Sequence, residues 1–291
     1  MPDVISVQVT RGSVVEARHR VHAVALDADG HLIESAGDPE LVTYLRSAAK
    51  PLQALPLVRA YPEIPDRLVA IACASHLGRP EQLEAVRELL ALSWSTEADL
   101  ETGTEPTRIL HNCSGKHAGF LAVCRARGWE THGYSALEHP LQQELLAAVA
   151  EAAGLEPAEI PIAIDGCGVP TFALTLTRTA RLFGRIPSLD GGARIVTAMV
   201  AYPELLRGPV AADARLIIEL PGWIAKGGAE GLFCAVSPDG TTIALKVEDG
   251  SFRAILPALG AFLPRLGVDP AGLGRTPVTN SHGLDVGSIC V

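Results

Sequence analysis

Apolar and polar residues alternate from Val4 to Val9 and again from Val21 to Leu26, where the chain runs into Asp29-Gly30 and then His31-Leu32-Ile33-Glu34. Period-two alternation marks a strand with one buried face, and Asp-Gly between two such runs is a hairpin signal. The pattern returns late in the chain, where Gly231 to Val236 meets Ser237-Pro238-Asp239-Gly240 and Thr241 to Val247 follows. Between these ends the apolar spacing changes to the helical period, over Pro80 to Leu92, Lys116 to Arg127, Pro140 to Ala153, Thr171 to Ala180 and Ala193 to Tyr202. Arg253 to Leu263 reads as a further helix weakened by Pro257. The short apolar runs Leu68 to Ala74 and Ile160 to Ile164 fit either a buried strand or a helix end. No internal repeat, low-complexity stretch or Pro/Gly/Ser-rich linker divides the chain. The pattern predicts an α+β fold: one domain over residues 1–291, with an antiparallel sheet built from N- and C-terminal strands and a helical layer against it.

Composition narrows the function classes. The 291 residues are 48% hydrophobic and 20% charged, ample for a packed core. A formal charge of −9 argues against nucleic acid or an anionic membrane surface as the main partner. No apolar run approaches the roughly 20 residues of a membrane helix. Asp3 and the early alternation do not read as a secretory leader. Six cysteines at no disulfide-like spacing suggest reduced thiols and a cytoplasmic protein.

Chemistry enters with Arg46-Ser47-Ala48-Ala49-Lys50-Pro51. On a helical turn Ser47 and Lys50, at i and i+3, share a face. Pro51 is tolerated only in a first turn, so Ser47 is expected near a helix N-terminus, where free N–H groups favour an oxyanion. Serine attacks only when a base takes its proton. Keeping a lysine neutral at pH 7 costs about 4.6 kcal/mol, which burial or a second cation can supply. A second serine, Ser75, follows the apolar run ending Ala74 and precedes His76-Leu77-Gly78. Lys226-Gly227-Gly228 precedes the second hairpin, and glycines there let another backbone or a substrate come close. Each piece alone has a plain alternative: Ser47 or Ser75 as a cap, Lys226 as a solvated lysine. In order, they parallel the three-part signature of serine β-lactamases and penicillin-binding proteins, with Ser-His-Leu in place of Ser-Asp-Asn and Gly227 where Ser or Thr is usual.

A second group joins Asn112-Cys113-Ser114-Gly115-Lys116-His117 to Asp165-Gly166-Cys167-Gly168. Both cysteines stand in polar, Gly-flanked turns, and two thiolates suit a soft or borderline cation, zinc first. His117, His111 and Asp165 are ordinary further ligands, and Lys116, at i+3 from Cys113, an unusual one; a redox pair or two small core residues are the competing readings. Cys73, Cys124, Cys234 and Cys290 lie in apolar stretches or at the terminus and read as packing residues. The nine histidines form no H-x-x-x-H pattern, which removes the common metallohydrolase motifs.

Together the blocks RSAAKPLQALP, ACASHLG, HNCSGKHAGFL, IDGCGVPTFAL, KGGAEG, ALKVEDGSFRA and NSHGLDVG resemble the bacterial asparaginase II family, the Rhizobium-type or class 3 L-asparaginases. The resemblance runs from about residue 10 to 290. It implies hydrolysis of L-asparagine to L-aspartate and ammonia, and a fold like the serine β-lactamases and serine-dependent glutaminases. It also implies two Ser–Lys pairs in one pocket, Ser47 with Lys50 and Ser75 with Lys226; zinc on Cys113, Lys116 and Cys167; and a homodimer. On this reading Ser47, helped by neutral Lys50, attacks the amide carbon, and Ser75 relays a proton to ammonia, with Ser75 as the alternative nucleophile. Arg46, His76 and Asp165 are the candidates for recognising the substrate. The competing functions are a serine glutaminase, a penicillin-recognising acyl hydrolase, and a non-catalytic zinc or amino-acid-binding protein.

Overall fold

The alternation near the N-terminus becomes β1 (Ile5–Arg11), which turns at Gly12 into the long β2 (Val14–Leu26), in the computed structural model, which describes residues 2–104 and 107–291. Ile5, Val7 and Val9 are buried, while their polar neighbours are partly open, as one wet and one dry sheet face require. Gly30 closes the Asp29-Gly30 turn, with its N–H on the Asp27 carbonyl, and leads into β3 (Leu32–Ala36). The strands that follow are β4 (Val42–Tyr44), β5 (Ile162–Ile164), β6 (Pro170–Thr175), β7 (Ile224–Gly227), β8 (Leu232–Val236), β9 (Thr242–Val247), β10 (Thr276–Thr279) and β11 (Asp285–Cys290).

Eight strands form one sheet in the order β10-β11-β1-β2-β9-β8-β7, with β3 also on β2, and all of its pairings are antiparallel. Both termini contribute neighbouring strands: β1 pairs with β11, Val9 opposite Ile289. The fold is therefore α+β, as the pattern predicts. The helix Leu176–Arg185 packs on β2, β8 and β9, the helix Ile255–Phe262 lies on β1 and β11, and the helix Ala212–Glu219 lies along β7. One continuous apolar core joins these layers to the remaining helices. Among the described residues no helix is long and apolar enough to cross a membrane.

One expected element changes at the level of local structure. The stretch Thr171 to Ala180 is not one helix: its first half is β6, the middle of a small sheet in the order β4-β6-β5. Thr175 divides it, because its hydroxyl accepts the Arg178 N–H and starts the helix at Leu176. Of the two runs open to either reading, Leu68 to Ala74 is the end of the helix Asp66–Ala72 with the two residues that leave it, and Ile160 to Ile164 contains the strand β5. The helices Pro80–Leu92 and Pro140–Ala153 have the expected bounds, each opened by a proline at its first position, and Gly154 closes the second with a left-handed cap.

The small sheet matters for the site because β6 braces the corner before Ser47. Leu45 N–H donates to the Phe172 carbonyl at 2.8 Å, and Arg46 N–H to the Thr171 hydroxyl at 3.1 Å. The same β6 follows directly on the Asp165–Cys167 turn, so one strand ties that turn to the Ser-x-x-Lys segment.

Candidate active site

Arg46–Ala49 forms a tight 3₁₀ turn that feeds the helix Lys50–Gln53, with Pro51 in its first turn. Arg46 takes a left-handed backbone, φ 47°, uncommon for a residue with a long side chain. Ser47 follows it, half-buried, and its hydroxyl takes part in none of the side-chain hydrogen bonds among the described residues, those of Lys50 included. Lys50 points inward and is only 1% exposed. Its ammonium donates to the Ala74 carbonyl at 2.6 Å and to the Ser75 hydroxyl at 3.0 Å. Burial, with the charges of Lys226 and Lys116 added, brings Lys50 down to about 8 against the opposing pull of Cys113 and Cys167.

Ser75 sits in the extended segment after the helix Asp66–Ala72, 4% exposed, its N–H bound to the Leu206 carbonyl at 2.6 Å. Lys226, on β7, is fully enclosed. It makes no hydrogen bond to Ser75. Its ammonium donates instead to Asp213 Oδ2 and to the Gly227 carbonyl, each at 3.1 Å. The four residues thus share one neighbourhood, but the one Ser–Lys contact among the described residues crosses the expected pairs. The glycines after Lys226 behave as the sequence suggests: a Cβ on Gly228 would stand 2.7 Å from the Leu45 carbonyl oxygen, so the sheet edge and the Ser-x-x-Lys corner meet backbone to backbone.

Cys113 ends the turn before the helix Ser114–Arg127, and Lys116 lies on its first turn. Gly115 is required there, since a Cβ would fall 2.2 Å from the Ile71 carbonyl oxygen. Lys116 Nζ donates to Cys167 Sγ at 3.2 Å, and Cys113 Sγ donates to Asn112 Oδ1 at 3.1 Å. The neighbouring Cys167 side chain, reinforced by the Lys50 and Lys116 charges, holds Cys113 well below the usual thiol range despite burial. Burial would lower Lys116, yet Cys167, Cys113 and Asp165 together keep it above its ordinary value. Two sulfurs and an amine on neighbouring turns, with Lys116 Nζ 3.2 Å from Cys167 Sγ, make a donor set that a borderline cation such as zinc accepts.

The three recognition candidates are held by the protein itself. Arg46 Nε donates to Asp165 Oδ1 at 2.7 Å, and the Gly166 N–H to the same oxygen at 2.7 Å, so the two residues neutralise one another. His76 is buried: Gly78 N–H donates to its Nδ1 at 3.1 Å, which leaves Nε2 to donate to the Ser114 hydroxyl at 2.7 Å. Burial and the Lys50 charge lower His76 to about 4, so it is neutral and clasps the Ser75 segment to the cysteine turn. His117, the ordinary ligand candidate, faces away into a Tyr134 hydrogen bond at 2.8 Å from Nδ1, and its Nε2 has no partner among the described residues. Of the remaining cysteines, Cys73, Cys124 and Cys234 are buried as packing residues, and Cys290 is half-buried.

Asp213 is the residue that sequence reasoning missed. It stands between two alanines in ADARLIIE, and only its place near the start of a helix opposite an edge-strand lysine marks it.

The family described as L-asparaginase II matches residues 7–291. Among solved structures, the chain is similar to a β-lactamase from Mycobacterium bovis, at 16% identity over 79% of this chain and 88% of that one, with a TM-score of 0.36. It is similar to a penicillin-binding protein homologue from Pyrococcus abyssi, itself octameric, at 11% identity over 87% and 74% of the two chains, TM-score 0.42. A β-lactamase from Desulfarculus baarsii matches at 18% identity over 80% and 84%, TM-score 0.37. No curated protein matches the chain by sequence.

Proposed function

The chain belongs to the L-asparaginase II family, and from that premise we propose that it hydrolyses the side-chain amide of L-asparagine to L-aspartate and ammonia through a seryl ester. The observation that carries the chemistry is Lys50, enclosed, drawn down to about 8 and hydrogen-bonded to Ser75, one turn beyond a serine whose hydroxyl is free. Ser47 Oγ forms the bond to the amide carbon, and its proton passes to neutral Lys50. The C–N bond breaks as Lys50 returns that proton through Ser75 to the departing ammonia. Water then attacks the ester, Lys50 accepts its proton, and Ser47 recovers its hydrogen as aspartate leaves. The Arg46–Asp165 pair supports the turn on which Ser47 stands. Cys113, Lys116 and Cys167 would hold a zinc ion, and the chemistry it supplies is positive charge for the carboxylate or amino end of the substrate.

A second reading makes Ser75 the nucleophile, favoured by its 3.0 Å contact with Lys50. Mass spectrometry of the acyl-enzyme trapped from each serine variant separates the two. The function itself is tested by ammonia release from L-asparagine and L-glutamine side by side, with turnover of a chromogenic cephalosporin and zinc content determined on the same sample. Release from asparagine supports the proposal. Release from glutamine alone, or cephalosporin turnover alone, replaces it with the corresponding acyl hydrolase. One methylene is worth about 1–3 kcal/mol of discrimination, so some glutamine turnover is compatible with an asparaginase.

A further inference from the structure

Lys226 and Asp213 form a closed ion pair at the edge of the sheet, 0% and 2% exposed, with Nζ and Oδ2 3.1 Å apart. The carboxylate is fixed from the helix Ala212–Glu219, and its Oδ2 also faces the Gly227 N–H at 3.5 Å. A buried ammonium without a counter-charge loses its proton or its position, whereas a buried pair keeps both. Lys226 is therefore turned toward Asp213 and the Gly227 carbonyl, with no hydrogen bond to Ser75. Its charge is among those acting on Lys50, the lysine that touches Ser75. Resting on the proposed amidohydrolase reading, we propose that Asp213 is a positioning residue of the active site: it holds Lys226 as a fixed cation away from Ser75, leaving Lys50 as the lysine that exchanges protons with the serines.

The surroundings of Asp213 offer a direct way to test this. A cavity of about 280 Å³ adjoins it, lined also by Gly227, Phe252, Arg207 and Arg253. Neither arginine has an acidic ion-pair partner among the described residues; Arg207 stacks on Phe252 at 4.8 Å, and Arg253 Nε donates to His19 at 2.9 Å. A small anion can thus reach the place of a missing carboxylate. Asp213→Ala is expected to lower kcat about 100-fold or more with KM little changed. Formate should restore part of that kcat in a saturable manner. Asp213→Asn, which fills the space without the charge, should lose kcat equally and gain nothing from formate. Asp213→Asn at near wild-type kcat, or a folded Asp213→Ala whose deficit formate leaves untouched, overturns the assignment. Wild-type ammonia release, measured in the same series, tests the underlying activity separately. If the wild type hydrolyses neither amide, a thermal-unfolding cycle of Asp213→Asn and Lys226→Met still reads the pair: a double variant more stable than the sum of the single losses upholds it, and additive losses refute it.

Discussion

Lys50 and Lys226 are equally sealed from water, at 1% and 0% exposure, yet their partners differ in kind. Lys50 meets only neutral oxygens, the Ala74 carbonyl and the Ser75 hydroxyl, while the opposing influences of Cys113 and Cys167 and of Lys226 and Lys116 reach it from further off. Lys226 meets a carboxylate. Burial is the main reason that Lys50 is drawn down to about 8, and no carboxylate contacts it to offset that cost. The family resemblance implies two similar Ser–Lys pairs; the folded chain has instead a Lys50–Ser75 hydrogen bond and a Lys226–Asp213 ion pair. Placement of one carboxylate, contributed by a helix that carries none of the recognisable motifs, produces that division.

Removing the free hydroxyl tests the contrast most severely. Ser47→Ala should lower kcat by about 10³-fold or more with the melting temperature preserved, measured by ammonia release; near wild-type turnover would remove Ser47 as nucleophile. Making Lys50 resemble Lys226 comes next. Ser75→Asp gives Lys50 a carboxylate of its own, and kcat should fall below that of Ser75→Ala, by about tenfold per pH unit added to the pKa of Lys50.

Proton supply sharpens the same comparison without a mutation. Activity that needs neutral Lys50 should rise through an apparent pKa near 8 and fall about tenfold per pH unit below it. The linkage has a definite sign: the unfolded chain binds more protons between about 8 and 10.5, so Lys50 destabilises the fold below 8, and stability is regained as pH rises through that window. A kcat/KM profile flat from pH 6 to 9 would exclude Lys50 as the base. Smaller still is the effect expected on metal. Cys113→Ala should lower bound zinc, determined by elemental analysis, and raise KM by about tenfold, the size of a lost coordinating contact. Gly115→Ala, whose Cβ would clash with the Ile71 carbonyl behind the Cys113–Lys116 turn, should cost about 1–3 kcal/mol of stability by thermal denaturation.

Much of this molecule is legible in its sequence because local signals agree with the fold. Pro80 and Pro140 open helices, Gly154 closes one, and Asp29-Gly30 and Asp239-Gly240 turn hairpins. The failure at Thr171 to Ala180 has a local cause, since an apolar run long enough for a helix is cut by a single threonine cap. The members of the site are legible for the same reason, as compact motifs around Ser47, Ser75, Cys113, Cys167 and Lys226. Their pairing is not. Lys50 bonds Ser75 rather than Ser47, Lys226 bonds Asp213, and Arg46 bonds Asp165, each through a contact that tertiary packing alone creates. His76, adjacent to a serine in a motif, reads as a substrate contact, and its burial against Ser114 makes it a clasp.

The two motif glycines that rest against carbonyl oxygens, Gly115 on Ile71 and Gly228 on Leu45, have a bearing on how kindred chains are recognised in genomes. Each admits a single residue type for a steric reason that has nothing to do with reacting atoms. A chain that keeps every serine, lysine and cysteine but carries alanine at either place retains the alphabet of the site without its spacing. Sorting active from drifted lineages by their polar residues alone would therefore count such chains as competent. Reading the two glycines alongside them turns an inventory of reactive groups into a check on whether those groups can meet.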